Sequence, residues 1–152
     1  MIGSERTKMT DIVIVSGTVE LPARLVGTYT ARIIAQALPL YLTAIFWGRL
    51  IELDVHIEAY REPDAVQLAS LGQLLYSPER DDIVIPYGAT PISRAGEIRL
   101  QAPANIWAQA LEDVQVLREV HDGAKVTIAR YGTVRAQGGK VTVRAPSGLW
   151  RG

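Results

Sequence analysis

The chain has 152 residues, 48% of them apolar, with 16 Lys and Arg against 16 Asp and Glu and no cysteine. That length is about one domain's worth and can bury a core without disulfides or a structural metal. Thiolate nucleophiles, redox pairs and cysteine-based zinc sites are excluded, leaving oxygen and nitrogen chemistry.

The balanced charge, with no dense Lys/Arg block, speaks against a nucleic-acid binder. No apolar run approaches the ~20 residues of a membrane-spanning helix. Residues 1–10 lack the apolar stretch of a secretory signal. The expectation is a soluble cytoplasmic protein without cofactor: a flexible leader over 1–10, one domain over 11–145 and a tail over 146–152.

In chain order, residues 11–15 are a β-branched run, Ser16-Gly17 is a turn signal, and 19–26 is a second apolar run containing Pro22. Together they predict a hairpin. Gly27-Thr28 offers a stop and an N-cap, and Tyr29, Ile33, Ile34, Ala37 and Leu38 then recur at helical spacing up to Pro39. A helix over 29–38 follows. Residues 40–47 read as a strand ending at Gly48. Residues 50–58 alternate strictly, with Ile51, Leu53, Val55 and Ile57 on one face and Glu52, Asp54, His56 and Glu58 in a row on the other.

A polar stretch over 60–64 follows. Residues 74–76 and 83–87 predict two strands joined through the turn formers Ser77-Pro78-Glu79-Arg80-Asp81-Asp82. Beyond the loop 88–96 come a short extended piece, 98–100, and a longer one, 104–111, separated by Pro103. Val114, Leu117 and Val120 suggest a short helix ending at Asp122-Gly123. Residues 125–130, 133–136 and 140–144 read as strands, the last two forming a C-terminal hairpin whose edge could join a second subunit. Strands predominate without an alternating helix, so a closed antiparallel eight-stranded β-barrel capped by two short helices is the natural architecture.

Three carboxylates and an imidazole in the row Glu52, Asp54, His56 and Glu58 have the residue types of a divalent-metal site. The favoured reading is a solvated strand face, with no metal, and no second histidine is near in sequence. His121 sits at a helix end whose partial negative charge favours an imidazolium. Ser93 lies on no nucleophile elbow, and the glycines do not form a phosphate-cradling loop. In the loop 88–96, Thr90, Ser93 and Arg94 are donors stiffened by prolines. Tyr76, Tyr87, Asn105 and Trp107 suit a small groove by residue type. Trp150, in the tail, hints at self-association.

An ordered series of segments carries a family resemblance: Gln73-Leu74-Leu75-Tyr76-Ser77-Pro78, residues 83–88, Thr90-Pro91-Ile92-Ser93, Glu97-Ile98-Arg99, Pro103-Ala104-Asn105-Ile106-Trp107 and Asp122-Gly123-Ala124-Lys125-Val126. Over about residues 11–130 the chain resembles the cyclophilin-like proteins, small bacterial and archaeal proteins of largely uncharacterised function. The resemblance implies the eight-stranded barrel of the peptidyl-prolyl isomerases.

True cyclophilins hold an Xaa-Pro peptide in an outer groove with an arginine, aromatics, a glutamine and a histidine. Their Phe-His-Arg-Val-Ile-Pro-Gly-Phe run is matched only by Phe46-Trp47-Gly48-Arg49-Leu50-Ile51, which makes Arg49 the loose candidate for the arginine. Arg99 is the other candidate, the downstream Gln-Gly-Gly is missing, and Ala104-Asn105 stands where the histidine would be. Rotation about the Xaa-Pro bond faces a barrier of ~18–20 kcal/mol, and a donor to the proline nitrogen is what favours the twisted state.

The expectation is a non-catalytic or divergent groove that binds a peptide or small molecule through Tyr76, Tyr87, Thr90, Arg99, Asn105 and Trp107. The alternative is a weak prolyl isomerase acting through Arg49. A homo-oligomer is possible, with neither nucleic acid nor membrane as partner.

Overall fold

In the computed structural model, which describes residues 10–132, nine antiparallel strands form one sheet, with an α-helix and a 3-10 helix. The leader over 1–9, the predicted hairpin over 133–144 and the tail with Trp150 lie outside the described residues. Among the described residues, no helix is long and apolar enough to cross a membrane.

Strands β1 (Ile12–Ser16) and β2 (Val19–Leu25) form the predicted hairpin, with Gly17 at φ +61° in its turn. Pro22 sits opposite Val13 and its carbonyl accepts from the Leu111 amide, so the missing N–H costs the ladder little. The helix α1 (Tyr29–Ala37) begins at Thr28, whose side-chain oxygen accepts from the Ala31 amide, and ends before Pro39, as the spacing predicts. It buries Thr30, Ala31, Ile34 and Ala35.

Strands β3 (Leu40–Phe46) and β4 (Leu50–Asp54) flank a tight turn at Gly48. Then come β5 (Val66–Ala69), β6 (Gln73–Ser77), β7 (Asp82–Pro86), β8 (Ile98–Ala110), the 3-10 helix Val114–Glu119 and β9 (Lys125–Arg130). The order across the sheet is β2-β1-β9-β3-β4-β7-β6-β8-β5, and β2 pairs with β8 as well as with β1.

Three expectations change. The strand predicted over 50–58 stops at Asp54, because the chain turns onto the Asp81 loop: Val55 donates to the Asp81 carbonyl, and Ile57 and Glu58 donate to its carboxylate. The pieces predicted on either side of Pro103 are one strand, because Pro103 falls where the β5–β8 register shifts and no ladder N–H is required. Strand β5 replaces what the sequence presents as loop; among the described residues it pairs with β8 alone.

Period-2 alternation divides the side chains into two sets. Ile12, Ile14, Leu21, Ile51, Leu53, Tyr76, Ile83, Ile85, Trp107 and Ile128 belong to the main core. Across the β4–β7–β6–β8 region, the opposite face carries a separate apolar cluster: Leu50, Leu75, Val84, Ile98, Leu100 and Ala104, with Trp47 packed against it. This second face forms the floor of the candidate site.

Candidate functional site

Two hollows that share Ala102 form the candidate groove, the smaller one over the second face. A small hollow of about 20 Å³, room for about one water molecule, is bounded by Leu50, Val84, Leu100, Glu52, Ser77 and Arg80. A wider one of about 370 Å³ lies between Tyr60-Arg61, Pro78-Glu79 and Ala102-Pro103. Ala102 lines both. The combination of an apolar floor with a few polar groups at one end is the usual composition of a small-ligand site.

Arg80 lies over two carboxylates at that polar end. Its Nε is 3.4 Å from Asp82 Oδ2 and its Nη2 is 3.6 Å from Glu52 Oε1. Asp82 is 1% exposed, and its other oxygen, Oδ1, has no hydrogen-bond partner. Burial pushes the Asp82 carboxyl up to about 6, with Glu52 adding to the shift and Arg80 opposing it.

This shift has a sign in stability. Between the ordinary value of 3.8 and about 6, folded Asp82 holds a proton that the unfolded chain has released. Stability therefore rises as pH falls through about 6 and is lost as pH climbs back through it. Asp81 and Glu97 are held below their ordinary values and act only at lower pH. Thermal melts from pH 7 to pH 5 are expected to show the wild-type Tm rising and Asp82→Asn flattening that rise. A wild-type slope unchanged by the substitution would remove Asp82 as its source.

The wide hollow is held open by a buried polar network. Asn105 is 1% exposed; its Nδ2 donates to Thr30 Oγ1 and to the Tyr60 carbonyl, each at 2.9 Å, and its Oδ1 accepts from the Glu62 amide at 2.9 Å. The Glu62 carboxylate accepts from the Thr30 amide and hydroxyl. The Tyr60 ring, 70% exposed, stacks on Tyr29 with centroids 5.1 Å apart. Asn105 thus positions the groove's exposed aromatic from behind.

Tyr76 latches the adjoining loop. Its hydroxyl donates to Asp81 Oδ1 at 2.5 Å and accepts from the Ala59 amide at 3.2 Å. Burial and then the bond to Asp81 push the Tyr76 hydroxyl up. Burial alone would raise the Asp81 carboxyl, but the Tyr76 hydroxyl and the Glu58 and Ile57 amides outweigh it and hold it below the usual range.

Tyr76, Asn105 and Trp107, whose residue types suit a groove, spend their polar atoms on interior contacts. Trp107 is wholly buried and donates its indole N–H to the Leu75 carbonyl at 3.2 Å. Thr90 is buried too: its hydroxyl donates to the Arg99 carbonyl at 2.6 Å, and Ser93 Oγ accepts from the Thr90 and Arg99 amides. Arg99 is paired with Glu97 at 2.7 and 3.1 Å. Tyr87 is half-buried, edge-on to Phe46.

Arg49 is exposed and has no ion-pair partner among the described residues, its stem lying over Gly88. Along the predicted carboxylate row, Glu52 faces Arg80, Asp54 and His56 are exposed, and the chain has turned at Glu58, φ +58°. Among the described residues, no three acidic or imidazole groups gather as a metal site would require.

The β3–β4 turn that places Trp47 and Arg49 depends on Gly48. It sits at φ +61°, and a Cβ there would come within 2.8 Å of the Ala89 carbonyl oxygen and of Pro91 Cδ. Gly48→Ala is expected to cost about 2–3 kcal/mol in urea unfolding, combining left-handed strain with a backbone clash. A cost below 0.5 kcal/mol would show that the loop 88–96 yields freely.

Residues 10–129 match the family model described as Cyclophilin-like. The chain belongs to the cyclophilin-like family. The solution structure of the hypothetical protein AF2241 from Archaeoglobus fulgidus is similar to this cyclophilin-like protein at 27% identity and a TM-score of 0.68, covering 80% of this chain and 95% of that one. The structure of McbB in complex with tryptophan is similar in fold, with a TM-score of 0.59 at 15% identity over 86% of this chain and 46% of that one. No curated protein matches.

Nothing in the sequence singles out Tyr60, Arg61 and Arg80, which line the groove, or Asp82 beneath Arg80. The one local signal was the charge density of Glu79-Arg80-Asp81-Asp82 between two apolar strands, which reads equally well as a solvated turn.

Proposed function

We propose that this cyclophilin-like protein binds a peptide or small molecule, without catalysis, in the groove between Tyr60 and Trp47. The observation that carries this reading is the wide hollow with its exposed aromatic, which adjoins at Ala102 a small hollow over an apolar cluster separate from the main core. The closed eight-stranded barrel of the family belongs to the same proposal, supported by the pairing of β2 with both β1 and β8. So does a cytoplasmic location.

The second reading, a weak prolyl isomerase, is favoured by one observation: Arg49 is exposed beside Trp47 without an ion-pair partner among the described residues. A free guanidinium is the donor such a reaction needs.

Exchange NMR with a blocked Ala-Pro peptide tests both. The expected result is saturable shifts at the Tyr60 and Arg61 amides and the Trp47 indole, with cis–trans exchange left at its uncatalysed tens of seconds. Acceleration that Arg49→Ala abolishes would establish the isomerase instead. If neither this peptide nor a set of drug-sized fragments moves those signals, the groove reading fails.

A further inference from the structure

Around Arg80, acid outnumbers base. Glu52, Asp54 and Asp82 occupy the same side of neighbouring strands, since Asp54 and Asp82 are directly paired and Glu52 lies two residues along from Asp54. Arg80 is the one cation in contact with Glu52 and Asp82 among the described residues.

It fills its position loosely. Charge-assisted N–H···O bonds run at about 2.7–2.9 Å. The Arg99–Glu97 pair has one at 2.7 Å, whereas Arg80 stands at 3.4 and 3.6 Å and is 47% exposed. Behind it, Asp82 Oδ1 is buried and unpartnered, a state that ordinarily costs about 1–3 kcal/mol. Asp82 shares its face of β7 with Val84, which lines the small hollow, as do Glu52 and Arg80. With Arg80 swung aside, the Glu52 carboxylate faces that space, and the Asp82 carboxylate lies beside it on the same side of the sheet.

We infer that this end of the groove takes a primary ammonium group, carried on an apolar body, in place of the Arg80 guanidinium. The inference rests on the groove reading and names its ligand class. An ammonium group is about the size of the single water that the 20 Å³ hollow accommodates, and it brings three donors on one atom. Seated where the guanidinium stands, it can turn one donor to Asp82 and another to Glu52. The volume left by the displaced Arg80 side chain, beside Leu50, Val84, Leu100 and Trp47, takes the attached chain. A bare metal ion is the poorer match, because among the described residues no three ligating groups converge. The ammonium belongs to a free amine or to a lysine side chain of a peptide; the chemistry at Asp82 is shared.

The test follows the Trp47 indole and Arg80 Nε–H signals in titrations of the intact chain at pH 7.5 with hexylamine, blocked Ala-Lys-Ala and hexanol. Both signals should shift saturably with at least one of the two amines, and hexanol should bind at least tenfold more weakly. The tighter amine identifies the source. Asp82→Asn should weaken amine binding at least tenfold and leave hexanol unchanged, and Arg80→Gln should strengthen it severalfold by vacating the acids. Glu52→Gln, at a part-exposed position, provides the same comparison if Asp82→Asn does not fold.

Equal binding of amine and alcohol, or amine binding indifferent to both acid substitutions, overturns the inference. If both amines fail while the Ala-Pro peptide still shifts Tyr60 and Arg61, the ammonium site falls and the groove stands. Silence from every probe removes both.

Discussion

Trp107→Ala is expected to destabilise the protein by about 3–5 kcal/mol, the range for truncating a large buried aromatic. Trp107 is wholly buried in the main core, on the strand that pairs with β2, β5 and β6. Its loss leaves a void in that core. It also orphans the Leu75 carbonyl, which accepts the indole N–H, and adds a polar cost to the packing cost. For a chain of this length, the corresponding drop in Tm is roughly 10 °C or more. Trp107→Phe restores most of the volume but not the donor, and should recover about half of the loss. A Trp107→Ala variant within 1 kcal/mol of wild type by urea unfolding would show that Trp107 is not packed as described.

The second large effect is expected at Asn105. Asn105→Leu keeps the branched shape in a bulkier side chain but removes one acceptor and two donations, leaving the Tyr60 carbonyl and the Glu62 amide without their partners. At about 1–3 kcal/mol for each of these two unsatisfied groups, the cost should be about 2–6 kcal/mol. The local signature is sharper than the global one. The Glu62 amide should exchange with solvent far faster, because its acceptor is gone, while amides of β1 and β9 slow or quicken only with overall stability. Binding at the groove should weaken with it, since the Tyr60 backbone is no longer held. Unchanged protection at Glu62 would mean that the segment around Tyr60 is held by the Tyr29–Tyr60 stack and the Thr30–Glu62 bonds alone.

The candidate site was far less legible than the fold, and the reason lies in particular residues. Asn105 and Trp107 were singled out by residue type, which cannot tell a side chain that meets a ligand from one that satisfies a buried backbone group. Asp82 reads locally as the end of a turn, and only its pairing with Asp54 and Ser77 makes it a buried carboxylate beneath Arg80. Tyr60 falls in a polar stretch with no periodicity. Its place at the groove depends on a bond from Asn105, 45 residues away in sequence. The row from Glu52 to Glu58 obeys strand alternation, yet Asp81 draws the chain off the sheet after Asp54 and bends the row.

By itself, the sequence determined what short-range physics controls: the hairpin at Ser16-Gly17, the helix opened by Thr28 and stopped by Pro39, most of the strands through their alternation, and membership of the cyclophilin-like family through an ordered series of motifs. Tertiary structure decided the rest: the pairing of β1 with β9 and of β2 with β8, the added strand β5, and the meeting of Glu52, Arg80 and Asp82 over a second apolar face. The physical reason is range. Caps, turns and side-chain alternation act within a few residues, whereas strand order and the desolvation of Asp82 are settled only when segments far apart in the chain close against one another.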